Sequence, residues 1–394
     1  MASIVDTSVK HAYSSMTGAP IINGTAGSLI AALKAFLVTG WGAKSVDSAT
    51  ISNGVCRLVF ASGKSAAELH AVITVSGASP AALNGEQRVT AVANGWIEFK
   101  TALPDGAVTG SISFKMAGLG WEEVFSKTNV SVFRPTDPAS TRTYYRVDDS
   151  NPLYVRVQMY ESMSDVDSGV GVAPALAGGY YWHKRAAAGA AGVYWVLVGD
   201  SRGFYYLPSP YISTSPATTA MYAGVATYAG DIISDRSGDA WCGLLTGNTD
   251  TDYRAREGCI FQGGSAAGRS LTRASHGLGA AMTCDKVHLG SGGVSGAVGA
   301  LGAFPSRSSN GLYLVPIVLT DGAAASGPRG ILPGAYFCPQ SGLIAGLGFD
   351  VGLTPGSGPF AGKILLSAAV GDAGSTSSLT NGLGFFDITT PWRP

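Results

Sequence analysis

Gly199-Asp200-Ser201-Arg202-Gly203 has the Gly-x-Ser-x-Gly spacing of a nucleophile elbow, a sharp turn that presents a serine hydroxyl to a carbonyl. Downstream, Asp285-Lys286-Val287-His288 supplies a carboxylate and an imidazole three residues apart. In that chemistry Ser201 is the nucleophile, His288 the base that takes its proton, and Asp285 the group that orients the ring. An elbow requires a strand followed by a helix, whose first turn supports the oxyanion. Here the run 193–198, Val-Tyr-Trp-Val-Leu-Val, is followed by Phe204-Tyr205-Tyr206-Leu207, a second aromatic strand. Gly199 to Gly203 is turn chemistry, since Gly supplies positive φ and Asp bonds its own backbone. The sequence therefore predicts a hairpin closed by a five-residue loop, with Pro208 ending its second strand. The run 193–198 is apolar throughout and does not alternate, so it must be covered on both faces.

The Gly-Asp-Ser opening and the Asp-x-x-His form resemble those of SGNH hydrolases. The Gly-x-Asn-Asp block of that family is missing, because Gly247-Asn248-Thr249-Asp250 does not match it, and no alternating β-α units separate residues 200 and 290. A serine esterase using Ser201 stands as the minor alternative to a plain turn. Cys259, His276, Cys284 and His288 have the atoms of a zinc site but none of its standard spacings. The assignment from sequence is no catalytic residue, no cofactor and no metal ligand. His183-Lys184-Arg185 reads as a solvated basic strand end beside Trp182. Carboxylate pairs such as Asp148-Asp149, Glu122-Glu123 and Asp165/Asp167 are too common to argue for glycosidase acids or a calcium site.

Several elements must position these residues. Residues 1–44 contain one amphipathic helix, with Leu29, Ile30, Leu33, Phe36 and Leu37 at helical spacing, Thr25 or Ser28 to cap it and Gly40 to end it. Residues 45–116 read as a small β-sandwich or barrel with hairpins at Asn53-Gly54 and Asn94-Gly95. Arg88, Thr90, Glu98 and Lys100 form its wet face. Similar glycine-rich flanks, Gly40-Trp41-Gly42 and Gly118-Leu119-Gly120-Trp121, read as flexible edges of a module inserted into a larger body. Residues 117–215 form an aromatic-rich β domain with strands at 128–134, 144–147, 153–160 and 180–182, and a low-complexity loop at 186–192. Residues 216–394 form a Gly/Ser-rich β domain with strands at 231–233, 312–319, 363–370 and 385–388. Pro316 makes the second of these an edge or bulged strand. Residues 290–302 and 352–358 read as long loops. The fold class is mostly β and multi-domain, a small β-sandwich or barrel module in a larger Gly-rich β body with one N-terminal helix.

The chain has 394 residues, 26 basic and 26 acidic, and 13% charged against a usual share of about 25%. Balanced charge gives no steering toward nucleic acid or acidic lipid. Glycine numbers 55, so the surface is built of small neutral groups. Such a surface lacks the charge that keeps free monomers apart, which points to coverage by other subunits. Five scattered cysteines fit free thiols in a reducing cytoplasm. No secretory signal is expected from Met-Ala-Ser-Ile-Val-Asp, and no apolar run approaches the length of a membrane helix.

Two stretches resemble virion structural proteins of tailed bacteriophages: Ser76-Gly77-Ala78-Ser79-Pro80-Ala81-Ala82-Leu83-Asn84-Gly85-Glu86-Gln87-Arg88-Val89 and the ending Phe385-Phe386-Asp387-Ile388-Thr389-Thr390-Pro391-Trp392-Arg393. The resemblance implies a structural subunit of the tail tip, baseplate or fibre region, present in several copies, or a capsid-decorating protein. It implies partners among other virion proteins and copies of the chain itself, with synthesis in the host cytoplasm. Strands 153–160 and 312–319, with the C-terminal tail, are the segments expected to join neighbours by edge pairing. A third reading is a host-receptor module that grips surface glycan or a pilus through an aromatic face containing Tyr181 and Trp182.

Overall fold

The computed structural model describes residues 3–61, 63–210, 224–262, 267–287, 299–322, 326–348, 350–371 and 381–393. The fold is mostly β, with several antiparallel sheets. Strands Tyr194–Asp200 and Gly203–Ser209 form the predicted hairpin, with Leu197 opposite Tyr206 and Val198 opposite Tyr205. Asp200 pairs with Gly203, so the turn is only Ser201 and Arg202, tighter than the predicted loop. Pro208 lies inside the second strand, opposite Trp195, and does not end it. The Ser14 N–H donates to the Trp195 carbonyl from the far side, so the backbone groups of Trp195 face away from Pro208. Pro208 therefore faces the strand Thr227–Asp231, whose pairing stops at Tyr206, and no ladder bond needs its missing N–H.

This hairpin supplies the second and third strands of a seven-stranded sheet, with Lys10–Tyr13 at its near edge and Thr227–Asp231, Gly243–Thr246, Arg269–Leu271 and Met282–Thr283 following in order. Its two faces serve two separate cores. Trp195, Leu197, Phe204 and Tyr206 join one; Tyr194, Val196, Val198, Tyr205 and Leu207 join the other. Burying each such side chain is worth about 1.5–3 kcal/mol, so the sheet is held from both sides.

Residues 45–116 form most of an eight-stranded antiparallel sheet. Strand Gly85–Ala93 joins its two parts: its first half pairs with Val72–Ser76 and its second with Trp96–Lys100, with a register shift between Val89 and Ala91. Asn53 and Gly54 both have positive φ, 51° and 74°, the type I′ turn expected. The module's core is continuous with that of the helix and the aromatic sheet. Its glycine-rich flanks are pressed together and are not loose edges. Met116 N–H donates to Trp41 O (2.9 Å) and Leu119 N–H to Phe36 O (3.0 Å). A Cβ on Gly40 would lie 1.9 Å from Met116 O, and one on Gly118 2.6 Å from Val38 O, so only glycine permits the crossing. Arg88 is not on a wet face. It is 2% exposed, and the four carbonyls it binds belong to residues outside its own strand.

The helix covers Ser28–Lys34, continues as a π turn over Ala35–Thr39 and ends at Gly40. Neither Thr25 nor Ser28 caps it in the usual manner. The N-cap is Gly27, and the N–H groups of Leu29 and Ile30 donate to the Asp149 carboxylate, 120 and 119 residues away.

A five-stranded sheet follows: Trp121–Lys127, Val130–Pro135, Tyr144–Asp148, Tyr154–Tyr160 and Tyr180–His183, in chain order. A final sheet contains Lys286–Val287, Val315–Thr320, Pro328–Phe337, Asn381–Asp387, Ile364–Gly371 and Gly352–Pro355, with Ile233–Ser234 paired to Pro328–Phe337. Pro316 sits at a bulge as predicted. Two expected loops carry strands instead: Gly189–Gly192 pairs with Asn23–Gly24, and Gly352–Pro355 with Ile364–Gly371. A one-turn helix at Leu343–Leu347 adds to the N-terminal one. Most of residues 290–302 lie outside the described residues.

The segments expected to meet neighbours are already occupied. Tyr154–Tyr160 lies between two strands, and so do Val315–Thr320 and Asn381–Asp387. Trp392 is buried and donates to Asp387 O (2.7 Å). The edges left for a neighbour are those of end strands such as Trp121–Lys127 and Gly352–Pro355.

Candidate functional site

Arg202 of the Ser201-Arg202 turn lines a cleft of about 610 Å³ with Ile232, Ser234, Arg236, Asp239 and Arg393, among others; Ser201 is not among its lining residues. Asp200 shapes the turn, its Oδ1 accepting the N–H groups of Arg202 and Gly203, both at 2.9 Å. The Ser201 hydroxyl donates to Asp137 Oδ2 (2.6 Å). Burial raises the Asp137 pKa, but the bonds from Ser201 and the Ala139 N–H outweigh it and hold the carboxyl below its ordinary value. A carboxylate so stabilised is a weak base for a serine proton. A strand follows Ser201, not a helix. Asp285 is engaged by Arg269 (3.4 Å), and His288 lies outside the described residues. The structure thus places Ser201 in a hairpin tip, as predicted, without an elbow's geometry.

Behind the tip, charges bind one another. Asp231 accepts from the Thr141 N–H (2.9 Å), the Thr141 hydroxyl and the Arg202 guanidinium (3.3 Å). Burial dominates there and raises the Asp231 pKa against those donors. Arg393, from the C-terminal tail, binds the Asp200 carboxylate, Asp231 O and the Tyr228 hydroxyl. Deeper still, Arg329 forks onto Asp239 (2.7 and 3.0 Å) and reaches Asp321 (2.6 Å). The arrangement locks three distant segments, the hairpin tip, the 137–143 connection and the C-terminal tail, into one block.

Cys259 and Cys284 are fully buried while His276 is exposed. Among the described residues no group of three or more His, Cys, Asp or Glu is placed to hold a metal. Trp182 is 1% exposed, its Nε1 donating to Thr246 O (2.6 Å), so its ring has no face open to a sugar. Tyr181 is half-buried beneath the Arg156 guanidinium, 3.8 Å from its centroid. The solvated basic strand end is overturned as well: His183 is 4% exposed and Lys184 0%, because the chain turns inward there and Lys184 meets Asp149.

The sequence reading missed Asp137, Asp231, Arg329 and Arg393 as partners. Each joins residues at least 64 apart in at least one contact, so no local pattern marks them. The chain matches no protein-family model and no curated protein.

Proposed function

We propose that this chain is a structural subunit of a tailed-bacteriophage virion, in the tail-tip, baseplate or fibre region, used in several copies and held by other virion proteins and by itself. The observation that carries the reading is where the charges lie. Only 13% of residues are charged, and Arg88, Lys184, Arg269, Arg329, Asp149 and Asp231 are among those taken into the interior. The outer surface is therefore poorer in charge than the composition alone implies, which suits a protein covered by neighbours better than one free in solution. The interior supports the same reading, since a sheet packed on both faces and a locked C-terminus make a stiff block. A capsid-decorating position is the alternative within the same role.

Light scattering across a concentration series tests assembly: association above the monomer mass is expected, and a monomer at the highest soluble concentration counts against the proposal. Gold-labelled antibody raised to the chain should then mark the tail end of particles. Label over the head selects the decorating alternative, and unlabelled particles exclude a virion role.

A further inference from the structure

We infer that Lys184 and Asp149 join through an intramolecular isopeptide bond, an amide between Lys184 Nζ and Asp149 Cγ, that forms once the chain has folded. Both side chains are 0% exposed, and Nζ is in direct contact with Oδ1. Each is fixed from its own backbone. Asp149 N–H donates to Asn129 O (2.7 Å), Gly27 N–H donates to Asp149 O (2.9 Å), and Lys184 N–H donates to Leu153 O (2.8 Å). Nζ is further aimed by its bond to Thr25 O (2.7 Å). The reacting groups are thus held together in a water-poor site, where fixed orientation removes much of the entropic part of the barrier.

The carboxylate is also polarised for attack. Its second oxygen, Oδ2, accepts the N–H groups of Leu29 (2.8 Å) and Ile30 (3.1 Å). When nitrogen adds to Cγ, negative charge collects on an oxygen, and two backbone donors at Oδ2 stabilise it as an oxyanion hole does. Oδ1, on the amine side, is the leaving oxygen. The balance closes within the pair: the N–Cγ bond forms and the Cγ–Oδ1 bond breaks. Of the three ammonium protons, one stays on the amide nitrogen and two leave with Oδ1 as water. No oxidant, metal or further acid enters. Burial also acts in the productive direction, lowering the Lys184 pKa and raising that of Asp149 despite their attraction, which favours free amine beside neutral acid. The bond would tie the chain after strand Tyr144–Asp148 covalently to that after Tyr180–His183, beneath the start of the helix, where hydrogen bonds and one ion pair already hold them.

The test is the mass of the purified full chain under denaturing conditions, followed by tryptic peptides. The expected wild-type mass is one water below that of the sequence. Residues 147–156 should appear joined to residues 157–185, with the branch at Asp149 and no cleavage after Lys184. Lys184→Met and Asp149→Ala should each restore the full mass and the linear peptides. A wild-type chain of full mass overturns the inference. So does a dehydrated but linear 147–156 peptide, the mark of succinimide formation, or a branch at Asp148. The wild-type measurement stands whether or not the variants fold.

Discussion

Replacing Arg88 by methionine keeps the stem's length and apolar volume and removes the guanidinium. That group donates to four backbone carbonyls: Asp6 (2.6 Å), His70 (2.8 Å), Val9 (3.0 Å) and Ile388 (2.6 Å). Its bonds to Val9 and Ile388 are buried; those to Asp6 and His70 are part-buried, and water can replace them. Two stranded acceptors at about 1–3 kcal/mol each give roughly 2–6 kcal/mol. Relief of the buried charge's desolvation trims the upper end, so the expected loss is about 2–5 kcal/mol. A matched control is Arg57→Met on the same sheet, whose guanidinium pairs with Glu98 but is 48% exposed; it should cost less than about 1 kcal/mol. Urea unfolding of both variants gives the comparison. Hydrogen exchange localises it, because amides of Lys10–Tyr13 and of Ile388 should lose protection together in Arg88→Met. A variant within about 1 kcal/mol of wild type, or no worse than the control, refutes the idea that Arg88 keys both termini to the module.

Ser201→Ala removes one hydrogen bond and should cost about 1 kcal/mol, with p-nitrophenyl acetate hydrolysed at the same background rate by both proteins; a drop in rate would revive the esterase. Burial holds the His11 pKa down at about 3, with the Arg88 and His70 charges adding to it, and burial holds that of His183 at about 4. The unfolded chain takes up these protons first, near an ordinary histidine value of about 6.5, so stability should fall as pH drops from there toward 4, by up to about 1.4 kcal/mol per pH unit for each ring. Urea midpoints measured from pH 7 to 4 check this, and a flat profile contradicts it. Burial pushes the thiols of Cys56 to about 11 and of Cys284 and Cys338 to about 12, and all five cysteines are buried. The native protein should therefore leave Ellman's reagent unreacted at pH 8 while the denatured chain titrates five thiols; a rapidly reacting native thiol would show a cysteine outside the core.

What was legible in the chain is what depends on near neighbours. The run 193–198 announced a strand covered on both faces because nothing polar interrupts it, and two cores do cover it. Asn53-Gly54 announced its turn, and Leu29, Leu33, Phe36 and Leu37 announced the helix, because both signals lie within a few residues. Strand Pro328–Phe337 was hidden, since Gly330, Pro333 and Gly334 break its pattern; Gly330 and Gly334 take positive φ there, and the strand passes from one partner to another along its length. The charged residues defeated local reading for a different reason. Arg88 alternates with apolar neighbours as a surface residue does, and Lys184 sits in a basic triplet, yet both are interior. A buried cation is tolerated only where acceptors converge on it, and here they arrive from as far as 300 residues away. The same long reach explains why the cleft behind Ser201 could not be foreseen: the turn is local, but Asp137, Asp231 and Arg393 meet it only after three segments have packed. In a chain this poor in charge, an ion that leaves the surface lowers solubility as well as incurring desolvation, so its place inside implies a return in rigidity. That return is what the proposed assembly into a larger particle would draw on.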